Sequence, residues 1–115
     1  MKIDKTLLTG SLSLLLLKLL AEQDMYGYQM IATLESRSDK TFSLKAGTLY
    51  PLLHNLEKKG AVITYEKTAN TGRVRKYYSI TPKGQDLLQD KKKEWDIFFS
   101  AVNKLLEGGQ ACATD

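Results

Sequence analysis

Ala46-Gly47-Thr48-Leu49-Tyr50-Pro51-Leu52-Leu53-His54-Asn55-Leu56-Glu57-Lys58-Lys59-Gly60 is the segment on which the fold depends. Leu49, Leu52, Leu53 and Leu56 recur at i, i+3, i+4 and i+7, so they line one face of an α-helix running from Ala46 to Lys59. Gly60 ends that helix, because glycine accepts the left-handed conformation and the Lys58-Lys59 pair suits the negative end of the helix dipole. Pro51 lies beyond the first turn, where it removes one backbone hydrogen bond and predicts a slight bend. Away from the leucines lie Gly47, Pro51, His54 and Lys58, with Thr48 and Asn55 beside them. That outward face is small at its leading end and polar along its length.

Working outward, Leu7 to Leu20 reads as a helix apolar on nearly all sides, which needs cover all round. A break at Asp24-Met25-Tyr26-Gly27 precedes a second helix from about Tyr26 to Ser36, with Gly27, Met30, Ile31 and Leu34 on one face. A polar link, Arg37 to Thr41, follows it. Beyond the segment quoted first, Val62 to Glu66 and Arg75 to Ile80 are β-branched and aromatic runs separated by Ala69-Asn70-Thr71-Gly72, a β-hairpin. Thr81-Pro82 then announces a helix with Thr as N-cap and Pro at the first position, continuing to Leu106 or Glu107. Along it Leu88, Trp95 and Val102 are seven apart, with Lys91, Phe98 and Leu105 between them. A lone exposed helix has no need of such a heptad stripe, so the stripe predicts a dimer seam. The expected interface is Leu8, Leu12 and Leu15 on the first helix with Leu88, Trp95, Phe98, Val102 and Leu105 on the last.

The chain is 115 residues long, enough for one domain. The order helix, helix, helix, hairpin, long helix predicts a mainly α fold with a small β-hairpin. It divides into a winged helix-turn-helix over residues 1–81, a dimerisation helix over 82–107 and a disordered tail over 108–115. The leucine run Leu12 to Leu20 is interrupted by Ser13 and Lys18 and stops at Ala21. It falls short of the roughly 20 apolar residues of a membrane span, and no cleavable small-residue site follows it. Cys112 is the single cysteine, so no internal disulfide can form. These features predict a cytoplasmic protein with no membrane association. One histidine, no phosphate-cradling glycine loop and no metal-ligand spacing argue against catalysis, metal or cofactor.

Charge is unevenly placed. From Arg37 to Lys83 there are ten basic residues against three acidic, a local excess of seven, whereas the rest of the chain carries a deficit of three. That middle third includes the helix quoted first and the hairpin, as an electrostatic footprint for phosphates requires. In a winged helix-turn-helix the third helix enters the major groove and the hairpin flanks it. Thr48 and His54 are then placed to hydrogen-bond base edges or phosphates, and Lys40 and Lys45 to meet the DNA backbone. Arg73, Arg75 and Lys76 put three cations at the hairpin tip for phosphate contact. A phenol at the start of the second helix, Tyr26 or Tyr28, is placed to reach a phosphate, and Tyr28 is the one assigned.

The segment Ala46 to Leu53 with Leu56 to Gly60, together with Tyr26-Gly27-Tyr28-Gln29, Gly72-Arg73-Val74-Arg75-Lys76-Tyr77-Tyr78 and Ile80-Thr81-Pro82-Lys83-Gly84, resembles PadR-family regulators. The single helix after the hairpin resembles the short subfamily. The resemblance implies a homodimer, each last helix packed on the partner's first, and repression relieved by a small molecule. It also implies that Tyr50, Pro51 and the residues around Thr48 lie at the DNA surface, with Arg73 and Lys76 on the backbone. Lys45 departs from the family, where many relatives carry a capping Ser or Asn, so a weaker helix cap is expected.

Some relatives bind flat, hydrophobic, often cationic molecules between paired tryptophans. Trp95, Asp96 and Phe99 could form a corresponding slot, although a place in the dimer core is the favoured account of Trp95. Two other readings stand beside the repressor: a multidrug-type sensor with a hydrophobic pocket at the dimer interface, and a winged-helix adaptor that does not bind DNA.

Overall fold

The computed structural model describes residues 3–112. Its elements are α1 (Lys5–Glu22), β1 (Met25–Tyr26), α2 (Gly27–Arg37), α3 (Ala46–Lys58), β2 (Val62–Thr68), β3 (Val74–Ile80) and α4 (Pro82–Glu107). This is the expected winged helix-turn-helix with a long added helix. Residues 108–112 carry no helix or strand, and residues 113–115 of the expected disordered tail lie outside the described residues.

One apolar core joins the first three helices to the root of the hairpin. Leu12, Leu16, Leu17 and Leu20 of α1 meet Met30 and Leu34 of α2, Leu49, Leu53 and Leu56 of α3, and Val62 and Tyr78 of the sheet, all buried. Burying leucine-sized side chains contributes roughly 1.5–3 kcal/mol each, so this cluster dominates stability. The outward faces of α2 and α3 carry no such duty and are free for other work.

The sheet differs from the expected two-stranded hairpin. β1 adds a third strand, giving the antiparallel order β1-β3-β2, with Met25 opposite Tyr78 and Tyr26 opposite Tyr77. Two residues are too few to show an alternating pattern, so this strand is legible only once β3 is in place. The hairpin itself is longer than its β-branched runs, from Val62 paired with Ile80 to Thr68 paired with Val74. Its tip closes through Ala69 N–H to the Arg73 carbonyl at 2.8 Å, with Gly72 at φ 85°.

The join between α3 and α4 is closely fitted. Thr81 Oγ1 donates to the Gly60 carbonyl at 2.6 Å and accepts from Gly84 N–H at 3.0 Å, capping α4 as expected. Thr81 N–H donates to the Ala61 carbonyl at 3.0 Å. Gly84 is buried against that same strand start: a Cβ there would collide with the Ala61 carbonyl oxygen and lie 2.8 Å from Ile80 Cγ1. From this joint α4 projects, stretching the molecule to 69 × 32 × 21 Å.

Candidate nucleic-acid interface

α3 begins without a side-chain cap, as the lysine at Lys45 predicts, and runs on through Pro51 to Lys58. Its buried leucines turn Gly47, Thr48, Pro51, His54, Asn55 and Lys58 outward, all exposed. Thr48 and Tyr50, two positions apart, are about 200° apart around the helix and flank opposite edges of that face. Thr48 therefore stays with the exposed ridge, whereas Tyr50 leans toward α2 and the hairpin.

Tyr50 reaches back over the first residue of α2. A Cβ on Gly27 would collide with its hydroxyl and lie 2.7 Å from Cζ, so the phenol occupies space that only glycine leaves open. Burial pushes the Tyr50 phenol above its usual range, helped by Tyr78 and Tyr28, with Lys76 pulling the other way. Tyr50 therefore stays protonated and able to donate a hydrogen bond at neutral pH.

Around it opens a cleft of about 510 Å³, lined by Tyr26, Gly27, Tyr28, Tyr50 and the wing residues Arg73, Val74, Arg75 and Lys76. Tertiary structure thus gathers two of the expected DNA-binding phenols, Tyr28 and Tyr50, with all three expected wing cations. Lys45, Thr48, Pro51 and His54 lie outside the cleft, on the α3 ridge or at its start. Lys40 lines a separate shallow groove along α2 with Glu35 and Asp39, and Tyr28 borders both. Asp39 and Lys40 both hold left-handed backbone, φ 50° and 65°, where the chain turns out of α2. Among the middle-third cations Arg37 is engaged elsewhere: Nη1 lies 2.9 Å from both carboxylate oxygens of Glu22, holding that carboxyl below its usual range.

The wing cations do not share one side of the sheet. Lys76 lies over the Tyr78 ring at 5.6 Å, on the face that also meets the core. Arg75, one residue away, points to the other face and stacks on Tyr26 at 4.4 Å. Lys67, which sequence reasoning passed over, pairs across the strands with Arg75 and sits 5.5 Å above Tyr77. Only the strand register marks Lys67, by putting it opposite a second cation.

The residues match an established pattern. The family model for the transcriptional regulator PadR-like family matches residues 16–90, which hold the core, the α3 ridge and the wing. The chain belongs to the PadR-like family of transcriptional regulators. Similar PadR-like folds include a transcriptional regulator from Clostridium thermocellum, 32% identical with a TM-score of 0.82 over 89% of this chain and 96% of that one. A PadR family transcriptional regulator from Eggerthella lenta is 33% identical, with a TM-score of 0.78 over 90% of this chain and 88% of its own. An uncharacterised protein of Lysinibacillus sphaericus is 33% identical over 89% of this chain and 94% of its length. This PadR-like chain is a transcription regulator of the DNA-binding kind, and its named relatives are regulators rather than enzymes. Among the described residues no helix is long and apolar enough to cross a membrane, and no cluster of His, Cys, Asp or Glu could hold a metal ion.

The expected interface and ligand residues differ widely in exposure. Leu12 and Leu88 are buried in the chain's own core, at 1% and 3% exposure, and have no surface to offer a partner. Leu8 and Leu15 are half-buried against that core. The side of α1 that faces Lys91, Glu94, Trp95 and Phe98 across a groove of about 700 Å³ consists of exposed Leu7 and Gly10 with Ser11 and Leu14, which are half-buried like Leu8 and Leu15. Periodicity could not choose between these stripes because α1 is apolar all round.

On α4, Trp95 stacks with Phe99 at 5.7 Å, but the carboxylates lining the groove are Glu94 and Asp4. Asp96 lies about 100° further round the helix from Trp95, outside the lining. Beyond Trp95, Phe98, Phe99 and Leu105 are all more than half exposed, and Val102 is half-buried.

Proposed function

We propose that this chain is a homodimeric repressor that reads a pseudo-palindromic operator. The observation that carries the proposal is the exposed polar ridge of α3, from Gly47 to Lys58, set beside the cleft where Tyr28, Tyr50 and the wing cations converge. Thr48 and His54 would meet base edges in the major groove while Pro51 and Gly47 permit close approach. Lys40, Lys45, Arg73 and Lys76 would meet phosphates, and the Tyr28 and Tyr50 hydroxyls would donate to the backbone at the cleft.

Dimerisation would supply the cover that distal α4 lacks, using Trp95, Phe98, Val102 and Leu105 against the partner. Two-fold symmetry would then place two α3 helices in successive major grooves, roughly 34 Å apart. The groove between α1 and α4, apolar with Trp95 on its wall, supports a second element: a hydrophobic small molecule that binds there and relieves repression.

The test is fluorescence anisotropy on a labelled duplex from the region upstream of the protein's own gene, against a scrambled duplex, across a salt series. Preference for the upstream duplex and affinity falling steeply with salt are expected. Lys76→Ala should lower the slope of log affinity against log salt by about 0.9, one phosphate contact. Thr48→Ala should blunt sequence preference more than it weakens binding to scrambled DNA. Binding to neither duplex at low salt would leave the adaptor reading. Titration of aromatic cations against Trp95 emission tests the ligand, and unchanged emission across a broad panel removes it.

A further inference from the structure

The wing's second face carries a continuous set of contacts apart from the α3 ridge, sharing only Tyr26 and Arg75 with the cleft. Tyr26, Tyr77 and Tyr65 stand in register on three adjacent strands, Tyr26 paired with Tyr77 and Tyr77 with Tyr65. Their rings touch in sequence: Tyr26 meets Tyr77 edge-on at 5.5 Å, and Tyr77 stacks on Tyr65 at 5.6 Å and 13°. At one end Tyr65 Oη donates to Asp24 Oδ2 at 2.6 Å, which holds the phenol above its usual range. At the other end the Arg75 guanidinium lies on the Tyr26 ring, and Lys67 covers Tyr77.

Asp24 and Tyr26 belong to the link between α1 and α2, and Tyr26 is the N-cap position of α2. Tyr65, Lys67, Arg75 and Tyr77 belong to the hairpin. The row therefore ties the wing to the helix-turn-helix. A two-stranded hairpin is marginal in water by itself, and here only its root, Val62 and Tyr78, is buried. Lys67 and Arg75 also stand directly opposite each other, like charges whose repulsion opposes pairing, so the wing needs support at that level.

We propose that this row is a brace that sets the wing's pose over α3. Asp24, Tyr26, Tyr65 and Tyr77 are then positioning residues for DNA binding that need not touch DNA, and Arg75, assigned from sequence to the phosphates, is the brace's upper contact. The inference rests on the DNA-binding reading for its consequence but not for its structure.

The test uses the full chain with Tyr65→Phe, Asp24→Ala and the double substitution. Hydrogen exchange in the absence of DNA should quicken at wing amides of residues 66–76 in all three, with the amides of α1 and α3 unchanged. Anisotropy on a mixed-sequence duplex should weaken by about three- to tenfold in each single variant, the worth of one such bond. The double variant should lose no more than either single one, with the salt slope unaltered. Wing exchange that stays the same in both single variants overturns the brace. So does weakening in Tyr65→Phe alone, because the phenol would then be meeting DNA itself. An unsubstituted protein that binds no duplex at low salt overturns the DNA-binding reading, while the exchange data still decide the brace.

Discussion

The body of the molecule and its projecting helix use the same kinds of side chain to opposite ends. In the body, leucines from α1, α2 and α3 close on one another and on the sheet, and Leu16, Leu17, Leu49 and Leu53 show no exposure. Along α4 only Gly84 and Leu88 are buried. From Trp95 onward, Phe98, Phe99, Leu105 and Leu106 stand open at 52–83% exposure. An apolar stripe thus announces that something must cover it, not which chain supplies the cover. Within the single chain the apolar faces of the body are covered and those of the arm are not.

That contrast has measurable consequences. The largest belongs to the body: Leu16→Ala should cost about 3–5 kcal/mol, independent of protein concentration, in urea unfolding. A cost that shrinks as concentration rises would mean that the core, too, is completed by a partner.

Gly84→Ala strikes the joint between body and arm, because the new Cβ meets the Ala61 carbonyl and Ile80. Backbone cannot retreat as a flexible side chain can, so a loss of about 3 kcal/mol is expected in the same assay. An unshifted midpoint would show that α4 tilts freely on the body.

Phe98→Ala should leave the body folded by circular dichroism yet raise the dimer dissociation constant about tenfold or more by sedimentation. A stable monomer at all concentrations before any substitution would break the comparison at its root.

The smallest effect has the opposite sign. Lys40 holds a left-handed conformation, φ 65°, that glycine adopts without strain, so Lys40→Gly should stabilise the body by up to about 1 kcal/mol. It should weaken DNA binding at the same time, since a cation is lost. Gain without loss of affinity would mean that the strained lysine has no part in the interface.

How much of this was legible beforehand depends on pattern length. α3, α4 and the hairpin each span several periods, and their faces follow from spacing alone. The Thr81-Pro82 start was equally clear, because capping is local chemistry that needs only neighbouring residues. β1 was invisible because two residues hold no period. The face of α1 was invisible because an all-apolar helix has no preferred side until neighbours choose one. Leu12 accordingly reads as an interface residue although its own chain buries it, while Leu7 stands exposed.

The candidate site divides in the same way. Thr48, Pro51 and His54 follow from the wheel of one helix, opposite leucines whose burial is compulsory. The joining of Tyr28 and Tyr50 to the wing cations is a matter of strands and helices meeting, as is the pairing of Tyr65 with Asp24, whereas the splitting of Arg75 from Lys76 follows from strand alternation. By itself the sequence determined the helices, the hairpin, the buried leucine faces and the family. Tertiary structure decided which phenol backs which cation, which side of α1 lines the groove, and where the wing stands. Local periodicity and capping are written within a few residues of each other, whereas Tyr65 and Asp24, 41 positions apart, become neighbours only through the packing of everything between.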